Sequence, residues 1–169
     1  LKEETLLEIL AGGDRSEAAI KAIRNSQENI VKIREMLRAY SKADGTKDPD
    51  AMLTAITELE ALDPTFTHLP RMKVEHAVLL ENWDEAAKRL TAIEDKRVAL
   101  MAASILTSRL DDAEPAPPAP FLEAVVTALD NAPDEDTAAK GCKARMLWKL
   151  GRNEEAIAAA KDMIAKPGM

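Results

Sequence analysis

Aromatic side chains are scarce in this chain, at 3% of 169 residues, and there are too few β-branched residues to make up for them. Sheets build their packed faces from those two classes, so a β-rich fold is excluded. Cysteine is almost absent as well, with Cys142 standing alone. An internal disulfide or a CxxC redox centre needs a second thiol, and one thiol does not decide between cytoplasm and periplasm. Long apolar runs are missing. The longest, Val98 to Leu106, has Ser104 inside it and falls well short of the roughly 18 residues of a membrane span, which predicts a soluble chain with no membrane insertion. Positive charge is in deficit: 23 Lys and Arg against 30 Asp and Glu leave a net charge of -7 and a pI near 5.0. Basic residues occur as scattered pairs such as Lys88-Arg89 and Lys96-Arg97. Nucleic acid and anionic membrane both need a concentrated positive surface, so neither is expected as a main partner. Leu1 carries no initiator Met and no signal peptide follows it, which reads as a fragment of a larger protein.

What is abundant is Ala, Leu, Glu and Lys, within a hydrophobic share of 46%. That is helix composition. The stretch from Leu69 to Ile93 shows how the helices are organised. Leu69, Met72, Val74, Ala77, Val78 and Leu80 form a helical pattern too wide for one face, and Ala86, Leu90 and Ile93 then form a narrower stripe. Two antiparallel helices are expected, joined by about two residues, with Asn82 capping the second and Glu85 reaching back to complete a capping box. One such pair cannot bury its own apolar surface, so similar neighbours are required.

The flanking segments supply them. Residues 2 to 11 read as a short helix stopped by Gly12-Gly13, with Asp14 as the next cap. From Arg15 to about Lys42 a helix on the order of 40 Å long is predicted. In it Ile23, Ile30 and Leu37 recur at seven, with Ala19, Ser26, Ile33 and Tyr40 in the intervening row. Such a heptad can pair two chains, but Ser26 breaks the seam, so packing against the chain's own following helices is expected. Residues 43 to 47 read as a loop around Gly45. Asp48-Pro49-Asp50 then starts a helix that Pro64 ends. Further helices are predicted near 69 to 80, 84 to 94, 97 to 110, 121 to 131, 135 to 150 and 153 to 165. Within the 97 to 110 segment, Val98 to Leu106 is apolar nearly all round, so this helix should lie inside the stack. Between 111 and 120, DDAEPAPPAP favours an extended loop inserted between two helices. Its two overlapping PxxP spacings, Pro115 to Pro118 and Pro117 to Pro120, are the alternative reading as a recognition motif.

A period runs through these helices: Glu85-Ala86, Glu123-Ala124 and Glu155-Ala156 lie 38 and 32 residues apart, each opening the second helix of a hairpin. Alanine at such a point lets two helix backbones approach closely, and Trp83 would cover the crossing. The turns ENWDEA from Glu81 and GRNEEA from Gly151, with the ELEALDP ending at Pro64, resemble the tetratricopeptide repeat. Glu81 in place of the turn glycine, Val74 in place of a small residue and the long proline-rich connection depart from that pattern. The resemblance implies a right-handed stack of antiparallel helix hairpins over residues 14 to 169, with a protein or peptide ligand in its concave groove. The opening LLEILAGGD also resembles the region following the last helix of bacterial thioredoxin-like proteins with helical C-terminal extensions. On that likeness residues 1 to 13 are the terminal helix of a preceding domain or a linker. It implies a cell-envelope location and a helical accessory or dimerisation role beside an upstream thiol-disulfide oxidoreductase.

No catalytic, cofactor-binding or metal-binding residue is nominated. His68 and His76, the only histidines, are separated by roughly 12 Å along one helix, too far to share a metal. His76 reads as a partly buried helix residue, His68 as an exposed one, and Cys142 as a small buried thiol despite Lys140 and Lys143 nearby. Asp134-Glu135-Asp136 fits a helix start. The seven methionines read as core filler. Arg24, Lys32, Arg34 and Arg38, interleaved with Glu28 and Glu35, read as a solvated mixed face.

Overall fold

The computed structural model describes residues 17–110, 113 and 115–164, and every regular element among them is an α-helix. The proposed helix at 2 to 11, the Asp14 cap and the LLEILAGGD segment lie outside the described residues. The helices fall into two compact units that meet in sequence between Pro64 and Thr65.

The first unit holds α1 (Glu17–Thr46) and α2 (Pro49–Leu62). At 30 residues α1 is about 45 Å long, roughly twice α2. The two pack on each other, and their buried apolar residues are Tyr40 and Ala43 from α1 with Met52, Ala55, Ile56 and Leu59 from α2. Ile30 and Val31, earlier on α1, are about half exposed. The expected loop at 43 to 47 is instead the last turn of α1. Gly45 does not stop the helix, because Lys47 takes the left-handed conformation (φ 53°) that closes it. The Asp48 N–H then returns to the Ala43 carbonyl at 2.9 Å, and Ala43 is buried in the pair. Asp48 goes on to cap α2, accepting from the Ala51 N–H at 3.0 Å, with Pro49 in the first turn.

The second unit holds α3 (Leu69–Leu79), α4 (Trp83–Thr91), α5 (Lys96–Leu110), α6 (Ala119–Leu129), α7 (Thr137–Lys149) and α8 (Asn153–Ile164). Packing runs in series. Successive helices pair as α3 with α4, α5 with α6, and α7 with α8. The leading helices also touch in order, α3 on α5 and α5 on α7, while α4 packs on α6. A single core threads the unit, from Val74 and Ala77 through Leu106, Phe121 and Val125 to Met146 and Leu147. Each large apolar side chain so buried contributes roughly 1.5–3 kcal/mol. Helix α5 buries Val98, Ala99, Ala102, Leu106 and Thr107 on more than one side, and it touches α3, α4, α6 and α7. Among the described residues no helix is long and apolar enough to cross a membrane.

The turn at Lys47 recurs. Glu81 (φ 54°) and Gly151 (φ 73°) occupy the same left-handed position, 34 residues and then 70 residues further along. After each, the N–H of the next residue reaches back five positions, Asn82 to the Ala77 carbonyl at 2.9 Å and Arg152 to the Leu147 carbonyl at 3.0 Å. Five residues past each left-handed residue comes a buried side chain: Ala86 fully, Ala156 at 4% exposure, and Met52 in the first unit. The anticipated capping box at Asn82 is only half formed. Asn82 Oδ1 accepts from the Glu85 N–H at 3.3 Å, but the Asn82 N–H is already taken by Ala77. Glu85 turns to Arg89 instead, accepting from Nε at 2.7 Å. In the proline-rich connection the described residues, 113 and 115–118, are loop up to the start of α6. Of the two PxxP spacings, Pro117 to Pro120 begins on a buried proline and ends in the first turn of the helix, whereas Pro115 and Pro118 are exposed, Pro118 immediately preceding α6.

Candidate functional site

The last hairpin, α7 with α8, carries Trp148, the most exposed large apolar side chain among the described residues. Along α7, Ala139, Cys142, Met146 and Leu147 face the core at helical spacing. A neighbouring row is left outside: Ala144 and Trp148, with Arg145 and Lys149 one residue on. Helix α8 turns Ala156 inward and presents Ile157 and Ala160 beside that row. Together these seven residues line a groove of about 560 Å³, within the roughly 300–1,000 Å³ typical of ligand pockets.

Its floor is alanine from both helices, which leaves a trough between backbones. Its walls are Trp148, 63% exposed, and Ile157, 49% exposed. The hairpin is tightly closed at its other end, where a Cβ on Gly141 would stand only 3.3 Å from Met163 Sδ. Among the described residues, the ionisable groups that line the groove are Arg145 and Lys149. Arg145 is steered by its own helix, with Nη2 3.4 Å from Cys142 Sγ.

A second hollow of about 380 Å³ lies on the opposite flank of the same hairpin, against the turn after α6. It is polar and of mixed charge: Asp130 and Asp134 face Lys140 and Lys143, and Glu155 and Asp162 come from α8. Lys143 Nζ stands 2.6 Å from Asp130 Oδ1, which ties α7 to the end of α6. At its edge Arg152 donates to Glu155 Oε1 at 2.7 Å and to Glu123 Oε2 at 2.8 Å. The hydrogen bond from Arg152 holds the Glu155 carboxyl below the usual carboxylate range. Glu85 is lowered in the same way by Arg89. These groups are pinned to neighbours as structural pairs.

A third cluster is internal. Glu75 is 1% exposed, accepting from Arg71 Nη1 at 2.8 Å and Arg109 Nη2 at 3.3 Å, so one carboxylate on α3 joins that helix to α5. Sequence reading passed over Glu75, although it lies between Val74 and His76 in a pattern already too wide for one face.

The other candidates fall where their roles can be stated. His68 precedes α3 and is half-buried rather than exposed, its ring edge-on to Phe66 at 5.5 Å. His76 is buried two turns further along that helix. Cys142 is buried toward the core. Asp136 caps α7, accepting from the Ala139 N–H at 2.9 Å. Trp83 is half-buried with its ring 5.3 Å from Phe121. Among the described residues, no three His, Cys, Asp or Glu side chains are gathered as a metal ion would need. Compared with protein-family models, with curated proteins and with solved structures, the chain matches none.

Proposed function

We propose that this chain is a noncatalytic protein-interaction module, a right-handed stack of tetratricopeptide-like helix pairs that holds a protein or peptide ligand. Two features support the architecture: the left-handed turn that recurs at Lys47, Glu81 and Gly151, and the serial packing of α3, α5 and α7 in the second unit. The observation that carries the binding role is Trp148, 63% exposed on the wall of an alanine-floored groove. Soluble proteins seldom leave a tryptophan open to water, and tryptophan is enriched among the residues that dominate binding energy at interfaces. The noncatalytic half is supported by the placement of the reactive side chains. His68 stands at the start of α3 two turns before His76, Cys142 faces the core, and the carboxylates of Glu85 and Glu155 are held by arginines.

Selection of displayed peptides on the wild-type chain, with counter-selection on Trp148→Glu, tests the reading. Enriched peptides are expected to bind the wild type at micromolar concentration or better and to lose that binding in the variant. Failure to enrich any sequence, or enriched peptides that bind both proteins alike, would overturn it.

A further inference from the structure

We infer that two copies of this chain pair through the α1–α2 hairpin, face to face and pointing the same way, an inference independent of the groove between α7 and α8. The first unit is poorly closed on itself. Helix α1 has 30 residues against 14 in α2, so about 24 Å of α1 runs on past the end of its neighbour. The six buried apolar residues of the pair are balanced by three large ones left half exposed: Ile30 at 47% and Val31 at 54% on α1, and Leu53 at 49% on α2. A lone hairpin cannot bury its own apolar surface. In the sequence the heptad row of Leu37 and Ile30 continues upstream to Ile23, past the level at which α2 stops.

Both exposed rows turn to one side of the hairpin. On a wheel of about 100° per residue, Ile30 lies about 80° round α1 from buried Tyr40, with Arg34 and then Arg38 about 40° further each. Leu53 and Glu60 lie about 100° and 80° round α2 from buried Met52, in the same sense. On antiparallel helices a turn of the same sense brings both rows to the same side. That side is charged oppositely on its two helices. Arg34 and Arg38 are exposed and enter no ion pair among the described residues, whereas α2 carries Asp50, Glu58 and Glu60 and no Lys or Arg. A partner for this face must offer an acidic helix beside a basic one, and a second copy does so by construction. A two-fold axis running along the hairpin lays α1 of each copy over α2 of the other and leaves heights unchanged. Counted from the turn between Thr46 and Pro49, Arg34 and Arg38 then come level with the partner's Glu60. Beyond the end of α2 the same axis sets Ile30 against its counterpart, on a parallel seam where isoleucine favours two strands. An axis across the hairpin would instead set α1 on α1, cation on cation, so the charges select the parallel pairing.

Crosslinking and sedimentation of the whole chain test it. Ile30→Cys and Val31→Cys are made separately in a Cys142→Ser background and treated with diamide. The two positions are almost equally exposed but stand about 100° apart on the helix. Ile30→Cys is expected to form a covalent dimer, because a residue on a parallel seam meets its own counterpart, and Val31→Cys to remain monomeric. By sedimentation equilibrium the wild type should dimerise at micromolar concentration. Arg34→Glu/Arg38→Glu should weaken that dimer about tenfold or more at low salt, and adding Glu60→Arg should restore it. Circular dichroism shows that each variant is folded, and the crosslinking result stands without the charge variants. A wild type that stays monomeric at hundreds of micromolar would overturn the proposal. So would equal crosslinking at the two positions, or a charge reversal that leaves the dimer unchanged. A dimer abolished by Trp148→Glu and untouched by the changes on α1 would assign association to the last hairpin and overturn it too.

Discussion

Among the described residues, three in the left-handed conformation set the turns of α1–α2, α3–α4 and α7–α8, and one of the three is glycine. Lys47 and Glu81 hold φ near 53° and 54°, which costs an L-residue roughly 1 kcal/mol or more, whereas Gly151 at 73° is unstrained. Glu81→Gly is therefore expected to raise stability by up to about 1 kcal/mol, and Gly151→Ala to lower it by a similar amount. A Cβ at Gly151 would meet nothing within 4 Å, so any loss there reports backbone conformation and not a clash. Urea titrations of the two variants check both signs, and a neutral Gly151→Ala would show that this turn does not need glycine.

Among the elements, α3 and α5 are joined by Glu75, an acid that the apolar pattern of its segment does not single out. The carboxylate of Glu75 is almost fully buried between two arginines that are themselves only part-exposed. Glu75→Leu would leave Arg71 and Arg109 facing each other without their shared counter-charge, and a loss of roughly 2–4 kcal/mol is expected. Glu85→Ala, which breaks the partly exposed pair with Arg89, should cost no more than about 1 kcal/mol. Equal losses would mean that the buried carboxylate contributes no more than a surface one. The difference explains what could be read beforehand. Helix starts were legible because Asp48, Asn82 and Asp136 announce themselves chemically, each accepting a backbone N–H from three residues on. The end of α1 was not, because its stop signal is a lysine in a conformation that lysine does not advertise, while Gly45 two residues earlier suggested a stop the helix did not need. Trp148 escaped notice for a related reason. It sits one residue past the buried Leu147, about 100° around the helix, and periodicity alone does not show that α8 leaves this row uncovered.

For the whole molecule, the recurrence of small buried residues after the turns makes a prediction that spans the chain. Ala86 is fully buried and Ala156 nearly so, whereas Ala116 in the proline-rich connection is exposed. Ala86→Leu and Ala156→Leu should each destabilise by about 1–3 kcal/mol through overpacking, and Ala116→Leu should not. Equal melting temperatures for the three variants would show that the alanines do not mark close helix approach. The serial packing also governs motion. Helix α6 is clasped by α4, α5 and α7, but α8 packs chiefly on α7 alone. Cooperativity in such an array declines toward its ends, so α8 is expected to open without the rest and to exchange its amide protons for deuterium faster than α6. The groove beside Trp148 would then rest on the part of the unit most readily unzipped, and a bound peptide would register first as slowed deuterium uptake along Ala156 to Ala160.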